Sequence, residues 1–336
     1  MKKNTVFAML LAVLLLTACG TESGKFRLEG RLRNMNQAEF WVYSPDGAIS
    51  GIDTIRVRDG RFSYEVDMTG EHTLIVIFPN YSEQAVFAES GGKVTIKGDA
   101  THMKEMIIEG SDDNEELTTL RMKLNDLTPP DIPAAVGEFI KEHPKSQASV
   151  YLLRRYFVAS KEPNYRMAKH LADLMLKESP DNTELLALQR QLKSMLGAPL
   201  MGKLPKFEAS DIKGQKVTNG YLSGEVNVVY AWASWSYQSS ALQNRLNKLK
   251  KEYGERLAVV GICLDADAKA CRRRVTSDSL RCRTVCDGKM WDTPLLTVFS
   301  MADVPDNVVA DKRGNVIARN ITAEMMEEKI NKLLKQ

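Results

Sequence analysis

The stretch 226–239, VNVVYAWASWSYQS, decides how the last third of this chain folds. Val226 to Trp232 is almost wholly apolar, as a strand buried on both faces should be. Beyond it, Leu242, Leu246 and Leu249 recur at helical spacing. WASWSYQS at 232–239 therefore sits on a strand-to-helix turn. Leu257–Leu264 reads as a second buried strand. Val308–Ala310 and Val316–Ala318 flank the turn Asp311-Lys312-Arg313-Gly314, and Met325–Leu334 makes a closing amphipathic helix. Strands alternating with helices imply an α/β domain with a mostly parallel sheet.

These residues resemble a known family. WASWSYQS is similar to the WATWCxxC active site of TlpA-like thioredoxins. LPKFEASDIKGQKVT at 204–218 resembles that family's leading hairpin, and WDTPLL at 291–296 with ADVPDNVVADKRGNVI at 302–317 resembles the segment around its cis-proline. The resemblance is collinear over 199–336. It implies a thioredoxin-like fold, with Trp235, Ser236, Ser239 and Pro305 on the positions of the family's site. Both catalytic cysteines fall on serines, Ser236 and Ser239. The buried acid that assists proton transfer in the family falls on Tyr230.

That substitution changes the chemistry. A helix N-terminus lowers a thiol's pKa enough to give thiolate at neutral pH. A serine hydroxyl without a base gains nothing comparable, and it cannot form the S–S intermediate that exchange requires. Hydrolysis at Ser236 would need a base in hydrogen-bond reach. The four histidines, His72, His102, His143 and His170, all lie outside 199–336. The expected role of Ser236 and Ser239 is to cap the helix, with no catalytic residue in the domain.

Apart from Cys19, the cysteines are Cys263, Cys271, Cys282 and Cys286. Cys282 and Cys286 share one extended segment, roughly 13 Å apart, beyond the reach of a disulfide. The favoured pair is Cys271 with Cys286, joining a crossover helix to an adjacent strand end. A displaced redox centre using Cys263, Cys271, Cys282 and Cys286 stays open as the alternative. Scattered histidines and the lack of Cys-x-x-Cys give no expectation of a metal, and no Gly-rich phosphate loop calls for a cofactor. Arg272, Arg273, Arg274, Arg281 and Arg283 read as a solvated basic face.

Upstream, the period changes. Phe26, Leu28, Gly30 and Leu32 alternate with charged residues, and Asp59-Gly60 separates two further alternating runs, a hairpin signal. Leu74–Phe78 reads as a central strand. An antiparallel β-sandwich over 26–111 is expected. The cues IDTIRVRDGRFSY, AESGGKVTIKGD and IIEGS resemble the β-domain of unknown function that precedes thioredoxin-like domains in envelope lipoproteins. Phe40, Trp41 and Tyr43 are expected in its core rather than at a ligand. Residues 112–198 read as a helical segment, with Ser146 as one N-cap and Asp181 with Glu184 as a capping box.

At the start, Lys2 and Lys3 precede an apolar run, Val6–Ala18, too short to span a bilayer. Leu16-Thr17-Ala18-Cys19 resembles the bacterial lipobox. That implies a signal peptide over 1–18, lipidation of Cys19, a tether over 19–25, and a folded part held by its lipid on the periplasmic or outer-membrane side of the cell envelope. Net charge is +3 across 336 residues, which suggests no nucleic-acid partner. The expectation is a multidomain, redox-inactive envelope lipoprotein that binds protein or glycan.

Overall fold

The computed structural model of the chain describes residues 24–160, 162–197 and 202–335. The signal-like segment, Cys19 and Pro199 lie outside the described residues. Among those described, no helix is long and apolar enough to cross a membrane. The chain divides into two compact units, one reaching Val42 and resuming over Thr54–Met122, the other made of Tyr43–Asp53 and everything from Lys123.

Eight strands build the first unit: β1 (Lys25–Arg33), β2 (Gln37–Tyr43), β3 (Ile52–Arg58), β4 (Arg61–Asp67), β5 (Glu71–Ile77), β6 (Glu83–Glu89), β7 (Lys93–Asp99) and β8 (Ile107–Glu109). They form one continuous sheet in the order β6-β5-β2-β3-β4-β1-β7-β8. The two-sheet antiparallel sandwich expected from the sequence is therefore a single curled sheet, and β1 runs parallel to β7. Alternation fixes which residues face inward; it does not say how many sheets share them. The Leu74–Phe78 run is buried, but β5 stands next to the β6 edge rather than at the centre.

Local chemistry explains the turns. Asp59 and Gly60 both take positive φ, 51° and 69°, between β3 and β4, as the tight hairpin predicts. Gly30 is needed where β1 passes Phe62, because a Cβ there would strike the ring. Phe62 and Phe78 pack edge-on against Phe40, with centroids 5.4 and 4.9 Å away. Trp41, by contrast, is 41% exposed and only tilts toward Tyr81.

Helix α1 (Asp112–Asn125) serves both edge strands. The buried Asn114 side chain accepts from Phe87 N at 2.9 Å and donates to Phe87 O at 2.8 Å, on β6. One turn on, the Thr118 hydroxyl accepts from Ile108 N and donates to Ile108 O, on β8. Backbone groups that a flat sheet would leave to solvent thus find side-chain partners.

The second unit starts with helices α2 (Ile132–Glu142), α3 (Gln147–Leu153, continued by a π-turn over Arg154–Val158), α4 (Tyr165–Glu178) and α5 (Thr183–Gly197). Ser146 caps α3 as expected. The cap of α5 is Asn182, which accepts from Leu185 N at 2.9 Å, rather than Asp181. The shift of one residue places an equally competent oxygen at the helix start.

The α/β part carries a short hairpin, β9 (Glu208–Ser210) with β10 (Lys216–Thr218), then β11 (Val226–Trp232), α6 (Tyr237–Tyr253), β12 (Leu257–Cys263), α7 (Ala268–Ser277), β13 (Arg283–Val285), α8 (Pro294–Phe299), β14 (Asp306–Asp311), β15 (Val316–Arg319) and α9 (Ala323–Leu334). Its sheet runs β13-β12-β11-β14-β15, with the first three strands parallel and the last two antiparallel. β11 is buried along its whole length. Val229 and Ala231 face Phe299 and Leu296 on one side, while Val228 and Tyr230 face Leu242, Leu246 and Ile330 on the other. Each buried valine, leucine, isoleucine or phenylalanine among them contributes roughly 1.5–3 kcal/mol. Helix α5 docks on this part through Ser194 Oγ to Thr297 O (2.7 Å) and Gln191 Nε2 to Trp291 O (2.7 Å).

Candidate functional site: a serine turn and a thiol cluster

At the end of β11 the chain turns through Ala233, Ser234 and Trp235 into α6. Ser236 is the N-cap, in extended conformation, and its hydroxyl accepts from Ser239 N at 3.2 Å. Ser239 is fully buried, and its Oγ accepts from Ala233 N at 3.3 Å. Both hydroxyls thus serve backbone N–H groups that the turn would otherwise strand. Ser234 N donates to the Asp265 carboxylate at 2.9 Å, and burial pushes that carboxyl above the usual range. No histidine lies in this unit's α/β part, so the turn has no imidazole to activate a hydroxyl.

An aromatic cluster covers the turn. Trp235 stacks on Tyr43, with centroids 5.5 Å apart and planes 7° from parallel. Trp291 lies 6.3 Å away, donates from Nε1 to Pro45 O at 2.9 Å, and carries the Arg154 guanidinium over its face at 4.3 Å. Tyr43, expected in the β-core, belongs here instead. The Val304–Pro305 bond is cis, and Val304 packs in the same apolar cluster as Trp235.

Tyr230 points to the opposite face of the sheet. Its hydroxyl lies 3.5 Å from Cys282 Sγ, and burial with that neighbour pushes its pKa well above 10. The phenol stays neutral at ordinary pH and cannot stand in for an acid that cycles its proton. Cys282 also touches Thr284 Oγ1 at 3.7 Å, and burial raises its thiol pKa.

The other three cysteines converge. Cys263 ends β12 beside Trp232, Cys271 lies in α7, and Cys286 follows β13. Their sulfurs all lie within 4.8 Å of one another. Cys263 and Cys271 are buried and Cys286 is partly exposed. The adjoining thiols of Cys263 and Cys271 hold Cys286 down to about 3, while burial and the cluster push the other two up.

The Cys271–Cys286 disulfide favoured from the sequence is not formed: both are free thiols, and Cys263, outside that pair, joins them. The missing signal is register: Ile262 pairs with Val285 in parallel strands, which sets Cys263 beside Cys286. The arginines prove to be ion-paired in part, Arg283 with Asp211 at 2.8 Å and Arg274 with Asp278 at 2.7 Å.

The family model for a domain of unknown function, DUF4369, matches residues 26–117. No curated protein matches the chain. Among solved structures, the chain is similar to a thiol-disulfide oxidoreductase from Bacteroides fragilis (26% identity over 40% of this chain and 100% of that one, TM-score 0.37). It is also similar to a thioredoxin family thiol:disulfide interchange protein from Chlorobium tepidum (15% identity, 41% and 99% coverage, TM-score 0.35). A third is the thioredoxin domain of a thiol-disulfide oxidoreductase from Bacteroides vulgatus (15% identity, 41% and 99% coverage, TM-score 0.36).

Proposed function

We propose that this chain is an envelope lipoprotein whose thioredoxin-like part performs no dithiol exchange at its strand-to-helix turn and serves as a binding or structural module for protein or glycan. One observation carries the reading: the oxygens that replace sulfur at 236 and 239 are each engaged by a backbone N–H. Dithiothreitol-driven insulin reduction tests it. The unaltered chain is expected to match the uncatalysed rate. Ser236→Cys with Ser239→Cys restores a dithiol on the helix N-terminus, and measurable reduction is expected from it. The rate should stay low, because Tyr230 cannot relay a proton. Substantial reduction by the unaltered chain would overturn the reading.

A second reading is favoured by the convergence of Cys263, Cys271 and Cys286. In it the chain is a thiol-disulfide oxidoreductase working through displaced cysteines. Insulin reduction that vanishes in Cys271→Ser or Cys286→Ser would select it.

A further inference from the structure

We propose that Cys263, Cys271 and Cys286 form a three-sulfur site for a soft monovalent cation, Cu(I) in class. The inference is independent of the binding function and competes with the displaced dithiol for the same sulfurs.

Three separate elements, β12, α7 and the segment after β13, each deliver one sulfur to a single point, all within 4.8 Å of one another. A disulfide would employ two of them and leave the third as a free thiol. A three-coordinate ion employs all three. Metal–sulfur bonds of ~2.3 Å place the sulfurs of a trigonal site ~4 Å apart, within the limit observed. Thiolates are soft donors that select Cu(I), zinc and iron–sulfur clusters. Iron–sulfur clusters take four cysteines, and structural zinc is almost always four-coordinate. Among the described residues this group holds three donors, all cysteine. That count and that softness favour Cu(I).

The frame is fixed before an ion arrives. The parallel pairing of β12 with β13 sets Cys263 beside Cys286. The Asp267 carboxylate accepts from Lys269 N at 2.7 Å, anchoring the start of α7 and so the place of Cys271. Cys286 Sγ lies 3.6 Å from the Asp265 carbonyl. Its partial exposure opens the site on one side, while Cys263 and Cys271 close the other. Binding forms three Cu–S bonds and releases to solvent the protons of those thiols still protonated; copper stays Cu(I) throughout.

The test uses the full chain, reduced and desalted without oxygen, against the coloured Cu(I)–bicinchoninate complex. One equivalent of copper should leave the dye per chain, and copper K-edge absorption should count three sulfur scatterers. Cys271→Ser and Cys286→Ser should each weaken uptake at least 100-fold, whereas Cys282→Ser and Cys19→Ser should leave it unchanged. Four outcomes overturn the proposal: copper staying with the dye, uptake surviving Cys271→Ser with Cys286→Ser, a two-sulfur linear spectrum, or stronger retention of zinc in four-coordination. The spectrum of the unaltered chain decides the matter even if the serine variants fail to fold.

Discussion

Ser236 and Ser239 differ in what their hydroxyls support, so their removal should differ in cost. Ser236→Ala loses a buried helix cap, worth about 1 kcal/mol. Ser239→Ala strands the Ala233 N–H in a fully buried place, which costs ~1–3 kcal/mol. Urea unfolding should rank Ser239→Ala as the more damaging change; equal midpoints would contradict that assignment. Asp306 offers a second test at this scale. Burial and the neighbouring Asp303 raise its carboxyl from 3.8 to about 7, despite N–H donation from Asn307 and Ala302 and the field of Arg319. Below pH ~4 both folded and unfolded forms are protonated, and nothing is lost. As pH rises through ~7, the unfolded form ionises first and stability falls. Asp306→Asn should therefore melt close to the unaltered protein at pH 4 and higher than it at pH 8. Thermal midpoints across that range decide it. The sequence signalled the serine pair plainly, because the motif around it survives. It gave no hint of Asp306, since a carboxylate's burial depends on long-range packing that no local pattern encodes.

The elements were legible wherever one period dominated. Val226–Trp232 and Tyr165–Glu178 follow their apolar patterns closely, and the Asp59-Gly60 turn required positive φ at both positions. What the pattern could not fix was partnership. β1 pairs with β7 in parallel over Arg27–Arg33, and that choice turns an expected sandwich into one curled sheet. The role of α1 was equally hidden, because Asn114 and Thr118 look like ordinary polar residues on a weakly amphipathic helix. Removing the side chain of Asn114 takes two hydrogen bonds from a buried strand backbone, a loss of ~1–3 kcal/mol or more. Asn114→Ala should destabilise the first unit more than Thr118→Ala, whose hydroxyl is only part-buried. Hydrogen exchange at Phe87 and Ile108 reads each edge separately. Faster exchange at Phe87 only in Asn114→Ala is the expected result.

For the whole molecule, the decisive question is attachment. The lipobox-like Leu16-Thr17-Ala18-Cys19 is proposed to fix the chain to a membrane by its lipidated cysteine. Cys19→Ala should leave an uncleaved or mislocalised precursor, seen by gel mobility and by fractionation; normal processing would refute the anchor. The thiol cluster also belongs to this scale, since its members are spread over 24 positions of sequence and meet only when α7 crosses from β12 to β13. The stack of Tyr43 on Trp235 has a consequence of another kind, an optical one. The chain holds four tryptophans. Trp232 and Trp235 are shut away from water, and Trp291 sits beneath a cation. Anything that settles on the serine turn by lifting Tyr43 must wet the Trp235 indole and shift its emission to longer wavelength. The protein thus carries its own fluorophore at the serine turn, so the proposed binding of glycans or peptides there can be screened without a label.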